Sequence, residues 1–167
     1  LGHSGGEFAN TSFTSNVADL IAAARYLASR NMAPDMLIGH SLGGAAVLRA
    51  RAGIPSVKSV VTLGAPFDPG HVAHHFEDAL EAINRVGQAK VSLGGRPFVI
   101  GKEFVNDIRQ TELGEAVADL KAALLVMHAP RDATVGIDNA AEIFQAARHP
   151  KSFVTLDDAN HLITDPC

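Results

Sequence analysis

Apolar positions along the chain follow two periods. Val17, Leu20, Ile21, Ala24, Leu27 and Ala28 recur at helical spacing and form one apolar stripe, with Asn16 as the expected N-cap and Asp19 in the first turn. The NMAPD segment ends that helix at Pro34. Four short apolar runs, 36–39, 57–63, 123–128 and 152–156, lack clean polar alternation, as strands do when both faces of a parallel sheet are covered. Helical patterns at 42–52 and 139–148, and through much of 69–121, lie between these runs. Strands and helices alternating in this way predict an α/β fold with right-handed crossovers. The opening LGHSGGEFANTSFTS is rich in Gly, Ser, Thr and Asn and reads as loop.

The stretch 67–122 is longer than one crossover needs. Inside it, KVSLGGRPFVIG predicts a hairpin near 90–100 that turns at Gly94-Gly95, with helical patterns on both sides. The expected organisation is therefore one domain, 1–167, with 67–122 as a small cap insertion of the kind that covers a site.

Composition narrows the function classes. A chain of 167 residues with 47% apolar and 19% charged residues has the make-up of a folded globule and needs no disulfide staples. Its net charge of −4 and the lack of any Lys/Arg cluster give no electrostatic basis for binding nucleic acid or an anionic membrane. No apolar run is long enough to predict a membrane span. The one cysteine, Cys167, excludes an internal disulfide and a cysteine-based zinc site, and it fits a reducing, cytoplasmic setting. No motif implies a cofactor.

The chemistry concentrates at Gly39-His40-Ser41-Leu42-Gly43, which matches G-x-S-x-G between an expected strand and an expected helix. That context is a nucleophile elbow. Glycines on either side are expected to clear the neighbouring strand and helix, with Gly44 extending the clearance. Ser41 would then stand at a helix N-terminus, where the dipole favours developing negative charge and the Leu42 N–H can act as an oxyanion donor. The competing structural reading is a tight turn with a capping serine.

A serine hydroxyl needs a base, and the base needs an acid to orient it. Chains built around this elbow carry them in the order Ser, Asp or Glu, His. LLVMHAPRDATVG places Asp132 just past a strand end, and TLDDANHLIT places His161 in the loop after the last strand. Asp68 is the fallback acid, while Asp157 and Asp158 are expected to shape the histidine loop. His128 is expected to be structural, and His40 to pack beside the nucleophile without acting as base. His71, His74 and His75 have helical spacing that suits a metal, but no carboxylate or cysteine pattern supports one, so a solvated face is expected. Ser4, in GHSGG with no strand before it, reads as a loop residue.

Together, LGHSGGEFANTSFTSNVADL, MLIGHSLGGAA, LLVMHAPRDATVGIDNAAEIF and HPKSFVTLDDANHL resemble the α/β-hydrolase superfamily. More narrowly they resemble bacterial hydrolases often fused to an OsmC-type peroxide-detoxifying domain. The resemblance implies an α/β-hydrolase fold with Ser41 as nucleophile, Asp132 as acid and His161 as base. Members continue past the histidine loop, so no OsmC-type peroxidase chemistry is carried over to this chain. They also place four strands ahead of a segment like GHSGGEF, including the loop that supplies the second oxyanion N–H. The chain opens on Leu1, and the expectation is a fold lacking those strands. The elbow strand would then be an open sheet edge, which a homodimer or larger assembly is expected to cover.

The leading reading is a serine hydrolase cleaving carboxylic esters of small to medium acyl groups, a small-molecule ester being its partner. A peptidase, thioesterase or acyltransferase would use the same groups. Ser41 argues against a dehalogenase or epoxide hydrolase, which need aspartate there. The alternative from another class is a self-associating hydrolase scaffold with weak or no catalysis.

Overall fold

A computed structural model of the chain describes residues 5–93 and 96–164. In order, the elements are α1 (Phe13–Ala28), β1 (Met36–His40), α2 (Leu42–Ala50), β2 (Ser59–Leu63), α3 (Glu77–Val86), β3 (Gln88–Leu93), β4 (Arg96–Gly101), α4 (Lys102–Gln110), α5 (Gly114–Ala118), β5 (Ala123–His128), α6 (Asp138–Ala146) and β6 (Lys151–Thr155). Short 3-10 turns occur at Phe8–Asn10, Arg51–Gly53 and Pro69–Phe76. The loop expected around Ser4, the turn at Gly94-Gly95 and Cys167 lie outside the described residues.

Contacts divide the chain into two compact units, Leu1–Asn16 with Pro69–Thr111, and Val17–Asp68 with Glu112–Cys167. In the second unit a four-stranded parallel sheet runs β1-β2-β5-β6. Its register aligns Ile38, Val61, Leu125 and Ser152 across the four strands. Helix α2 packs on β1 and β2, α6 packs on β5 and β6, and α5 lies against both helices. The fold is α/β with a parallel sheet flanked by helices.

Side-chain size explains how α2 sits so close to the sheet. Gly44, Ala45 and Ala46 are buried and short, and Val47, Leu48 and Ala50 complete the packed face. Burying a side chain such as Leu48 contributes about 1.5–3 kcal/mol. The Arg51 guanidinium follows the helix and donates from Nη2 to the carbonyls of Lys121 at 2.7 Å and Val57 at 3.2 Å. Lys151 Nζ likewise donates to the Phe144 and Ala147 carbonyls at 2.7 and 2.8 Å, satisfying the C-terminal end of α6.

The expectation of strands covered on both faces needs correction. Val60, Thr62, Leu124, Val126 and His128 are buried, but they alternate with half-buried neighbours. At the edges, Met36 and Ile38 of β1 and Phe153 and Val154 of β6 are exposed. An edge strand has a neighbour on one side only, and these four residues keep 40–63% of their surface exposed. Among the described residues no helix is long and apolar enough to cross a membrane.

The first unit is built around the antiparallel β3–β4 hairpin, with Ala89 opposite Ile100 and Val91 opposite Phe98. Ile83 of α3 and Phe104, Val105 and Ile108 of α4 are buried, as are Phe13 and Ala73. The Phe8 ring meets Phe98 at 5.1 Å and Phe104 at 5.6 Å, both tilted as ring quadrupoles prefer. Helix α1 starts at Phe13, so Asn16 is not its N-cap. Instead, the Ser15 N–H donates to Ser12 Oγ at 3.0 Å while the Ser12 N–H donates to Ser15 Oγ at 2.8 Å, a reciprocal serine cap. Asp107 adds a distant cap, its carboxylate accepting from the Thr14 N–H at 2.6 Å and the Thr14 hydroxyl at 2.8 Å. Burial pushes the Asp107 carboxyl up, but the hydrogen bonds from Thr14, Ser12 and Phe13 outweigh it and hold the group below its ordinary value.

The histidine-rich segment is a 3-10 turn. His71 and His74 bring their rings to 5.5 Å, and His74 Nδ1 lies 2.5 Å from Glu77 Oε1. Among the described residues no group of three or more His, Cys, Asp or Glu is placed to hold a metal ion.

Candidate active site

Three strands of the second unit end on the same side, and each carries one chemical group. Ser41 follows β1, Asp132 lies in the loop after β5, and His161 lies in the loop after β6. Parallel strands deliver loops from their carboxyl ends to a common edge, so residues far apart in sequence meet there.

The elbow is strained where it must be. Ser41 adopts φ +54 and ψ −131, and its N–H donates to the Leu63 carbonyl at 2.8 Å, pinning the turn to the end of β2. A positive φ at a non-glycine residue is uncommon and persists only where surrounding structure enforces it. A side chain at Gly39 would fall onto the Gly43 carbonyl, and one at Gly44 would meet Ala65 Cβ at 2.5 Å. The expected need for glycine at position 43 is not found, because a Cβ there meets nothing within 4 Å. On the helix side Gly44 supplies the clearance. Leu42 is the first residue of α2, where N–H groups have no intrahelical acceptor, and the Gly44 N–H turns back to the Ser41 carbonyl at 2.8 Å.

The structure brings Ser41, His161 and Asp132 into one hydrogen-bonded chain. His161 Nδ1–H donates to Asp132 Oδ2 at 2.7 Å, which leaves Nε2 to accept from the Ser41 hydroxyl at 3.0 Å. The Asp132 and His161 side chains are 1% and 12% exposed, so water competes little for their bond. The other carboxylate oxygen, Oδ1, accepts from the Thr134 and Val135 N–H groups, both at 2.9 Å. Burial raises the Asp132 carboxyl, yet the Val135 N–H, the His161 ring, the Thr134 N–H and the His161 charge together hold it below its ordinary value. Asp132 is thus an anion able to orient an imidazole and stabilise it once charged. An imidazole held in this way can take a proton from a serine hydroxyl and return it to a leaving atom.

The remaining candidates fall elsewhere. Asp68, Asp157 and Asp158 are exposed, and Asp158 lies 3.9 Å from Arg131. His128 is fully buried and donates from Nε2 to the Val135 carbonyl at 2.8 Å, bracing the loop that holds Asp132. His40 does more than pack, since its Nε2 lies 2.6 Å from the His161 carbonyl. Gly64, at φ +54, has no counterpart in the sequence expectations. A Cβ there would lie 3.2 Å from Asp132 Oδ2 and 3.5 Å from His161 Nδ1. Its only sequence signal is a glycine directly after a strand.

The esterase domain of a Rhodothermus marinus protein has a TM-score of 0.76 to this chain at 49% identity, over 95% of this chain and 65% of its own. The chain has the α/β-hydrolase fold. Est1E from Butyrivibrio proteoclasticus, solved with ferulic acid bound, has a TM-score of 0.79 at 17% identity over 98% of this chain and 66% of its own. Alpha/beta hydrolase domain-containing protein 10 from mouse has a TM-score of 0.73 at 18% identity, over 99% and 68% respectively. The two more distant likenesses bear on the α/β-hydrolase fold alone. The chain spans just under two thirds of the length of the first two of these structures. No protein-family model matches it, and no curated protein matches it in sequence.

Proposed function

We propose that this chain carries the catalytic residues of a serine hydrolase acting on carboxylic esters of small to medium acyl groups. The observation that carries the proposal is the Ser41–His161–Asp132 chain, with bonds of 3.0 and 2.7 Å and a serine held at positive φ. The likeness to an esterase domain at 49% identity supports an ester over an amide.

In this reading His161 Nε2 takes the Ser41 proton as Oγ attacks the acyl carbonyl. The carbonyl oxygen becomes an oxyanion facing the Leu42 N–H at the positive end of α2. Collapse expels the alcohol, which receives the proton from His161 and leaves an acyl-Ser41. Water then repeats the sequence and frees the acid. Asp132 holds the imidazole in the Nδ1–H tautomer and stabilises it while charged.

The test is hydrolysis of a p-nitrophenyl ester series of increasing acyl length, with Ser41→Ala as control. Loss of the nucleophile is expected to lower kcat on the order of 10⁶-fold, to background. A fluorophosphonate probe should label the wild type and not the variant. Equal activity in both proteins, with no labelling of Ser41, would sink the proposal.

A further inference from the structure

We infer that His40, the residue before the nucleophile, is a positioning residue that tethers the main chain of His161. The inference rests on the hydrolase reading above, but its geometry stands apart from it. His40 Nε2 lies 2.6 Å from the His161 carbonyl oxygen, 121 residues away in sequence. A carbonyl can only accept, so Nε2 carries the proton and donates. The two rings also meet at 4.9 Å with a 42° tilt, placing His40 beside the base as well as beneath its backbone.

The histidine loop explains why such a tether matters. Ala159 is buried, but Leu162 and Ile163 are 52% and 43% exposed, so little apolar burial holds this end of the loop. Its bonds from Asn160 to Thr164 and from Ile163 to the Asn160 carbonyl are internal and fix its shape without fixing its place. Segments with few buried contacts open at low cost. The ring bonds of His161 to Asp132 and Ser41 do fix its place, yet the Ser41 bond is remade at every proton transfer. Donation from His40 acts on the backbone and persists while the ring exchanges protons. It also links the base to the residue adjoining the nucleophile, so Ser41 and His161 are held through one short path. The exposure of His40 keeps the contribution of this bond to overall stability small, whereas transition-state geometry is far more sensitive.

Substitutions separate donation from packing. Gln carries an amide N–H near the position of His Nε2, while Leu fills similar space with no donor. With p-nitrophenyl acetate, His40→Leu is expected to lower kcat by roughly 10- to 100-fold with KM within about twofold, since misplacement by about 1 Å costs roughly 10²-fold. His40→Gln should recover most of the loss. A second readout needs no activity: the far-downfield proton signal of His161 Nδ1–H should be sharp in the wild type and in His40→Gln, and broadened or lost in His40→Leu. Wild-type kcat and an intact signal in His40→Leu would overturn the inference, as would equal damage from Leu and Gln in folded proteins. If the wild type shows no Ser41-dependent turnover, the hydrolase reading fails, and the proton signal alone decides the tether.

Discussion

Replacing Gly64 by alanine is expected to damage the Asp132–His161 pair without altering either residue. Gly64 follows β2 with φ +54, and its N–H donates to the Met127 carbonyl at 3.0 Å, so the backbone cannot easily turn to another region. A side chain at left-handed φ costs about 1–2 kcal/mol. In a protein of this length 1 kcal/mol moves Tm by roughly 2–4 °C, so a fall of roughly 2–8 °C is expected. The added Cβ would also sit 3.2 Å from Asp132 Oδ2, inside ordinary contact, and 3.5 Å from His161 Nδ1. Oδ2 cannot retreat alone, because Thr134 and Val135 hold Oδ1 of the same carboxylate. The strain passes instead to the 2.7 Å bond and to the direction in which His161 faces Ser41. A shift of a few tenths of an ångström, set against about 10²-fold for 1 Å, gives a loss of roughly three- to tenfold in acylation rate. Thermal melts and single-turnover labelling with a fluorophosphonate measure the two effects separately. Wild-type values of both would refute the reasoning, and a lower Tm with an unchanged rate would show that the Cβ never reaches the pair.

Three further outcomes are expected. Asp132→Asn should lower kcat about 10⁴-fold by removing the anion that orients His161, measured on the same ester series beside a circular dichroism check of folding. Asp107 is held below its ordinary value, so its contribution to stability is present above about pH 4 and is lost as pH falls through the folded-state value. The Tm gap between wild type and Asp107→Asn should therefore narrow on acidification from about pH 6, and a gap independent of pH would contradict the capping role. The β1 edge exposes Met36 at 51% and Ile38 at 63%, and concentration-dependent self-association of the 167-residue chain is expected there, reduced by Ile38→Lys. Sedimentation of the wild type as a clean monomer at micromolar concentration counts against it.

What was legible in the sequence is what neighbours in the chain decide. β5 lies at 123–128 as its apolar run predicts, and GHSLGG announces its turn because strand, serine and helix are contiguous. The meeting of Asp132 and His161 beside Ser41 is legible too, since loops after parallel strands must arrive at one edge. Legibility ends where the deciding partner is distant or the backbone path is not set by neighbours. In sequence Gly39 and Gly43 flank Ser41 equally, but a helix turns successive residues by about 100° and presents Gly44, not Gly43, to Ala65. Asn16 precedes the apolar stripe as a cap would, whereas Ser12 and Ser15 close the turn earlier and Asp107 reinforces it through Thr14, 93 residues away. Gly64 and His40 share this character, for neither has chemistry of its own that a sequence pattern marks. Gly64 matters through the space beside Asp132 and His161, and His40 through one carbonyl in another loop. Hydroxyl, imidazole and carboxylate groups carry a recognisable identity in sequence, while the residues that set their distances are defined only once the strands are aligned. Substitutions at such positions should therefore alter rate more than binding, which is the pattern that separates positioning from uniform binding in mutant kinetics.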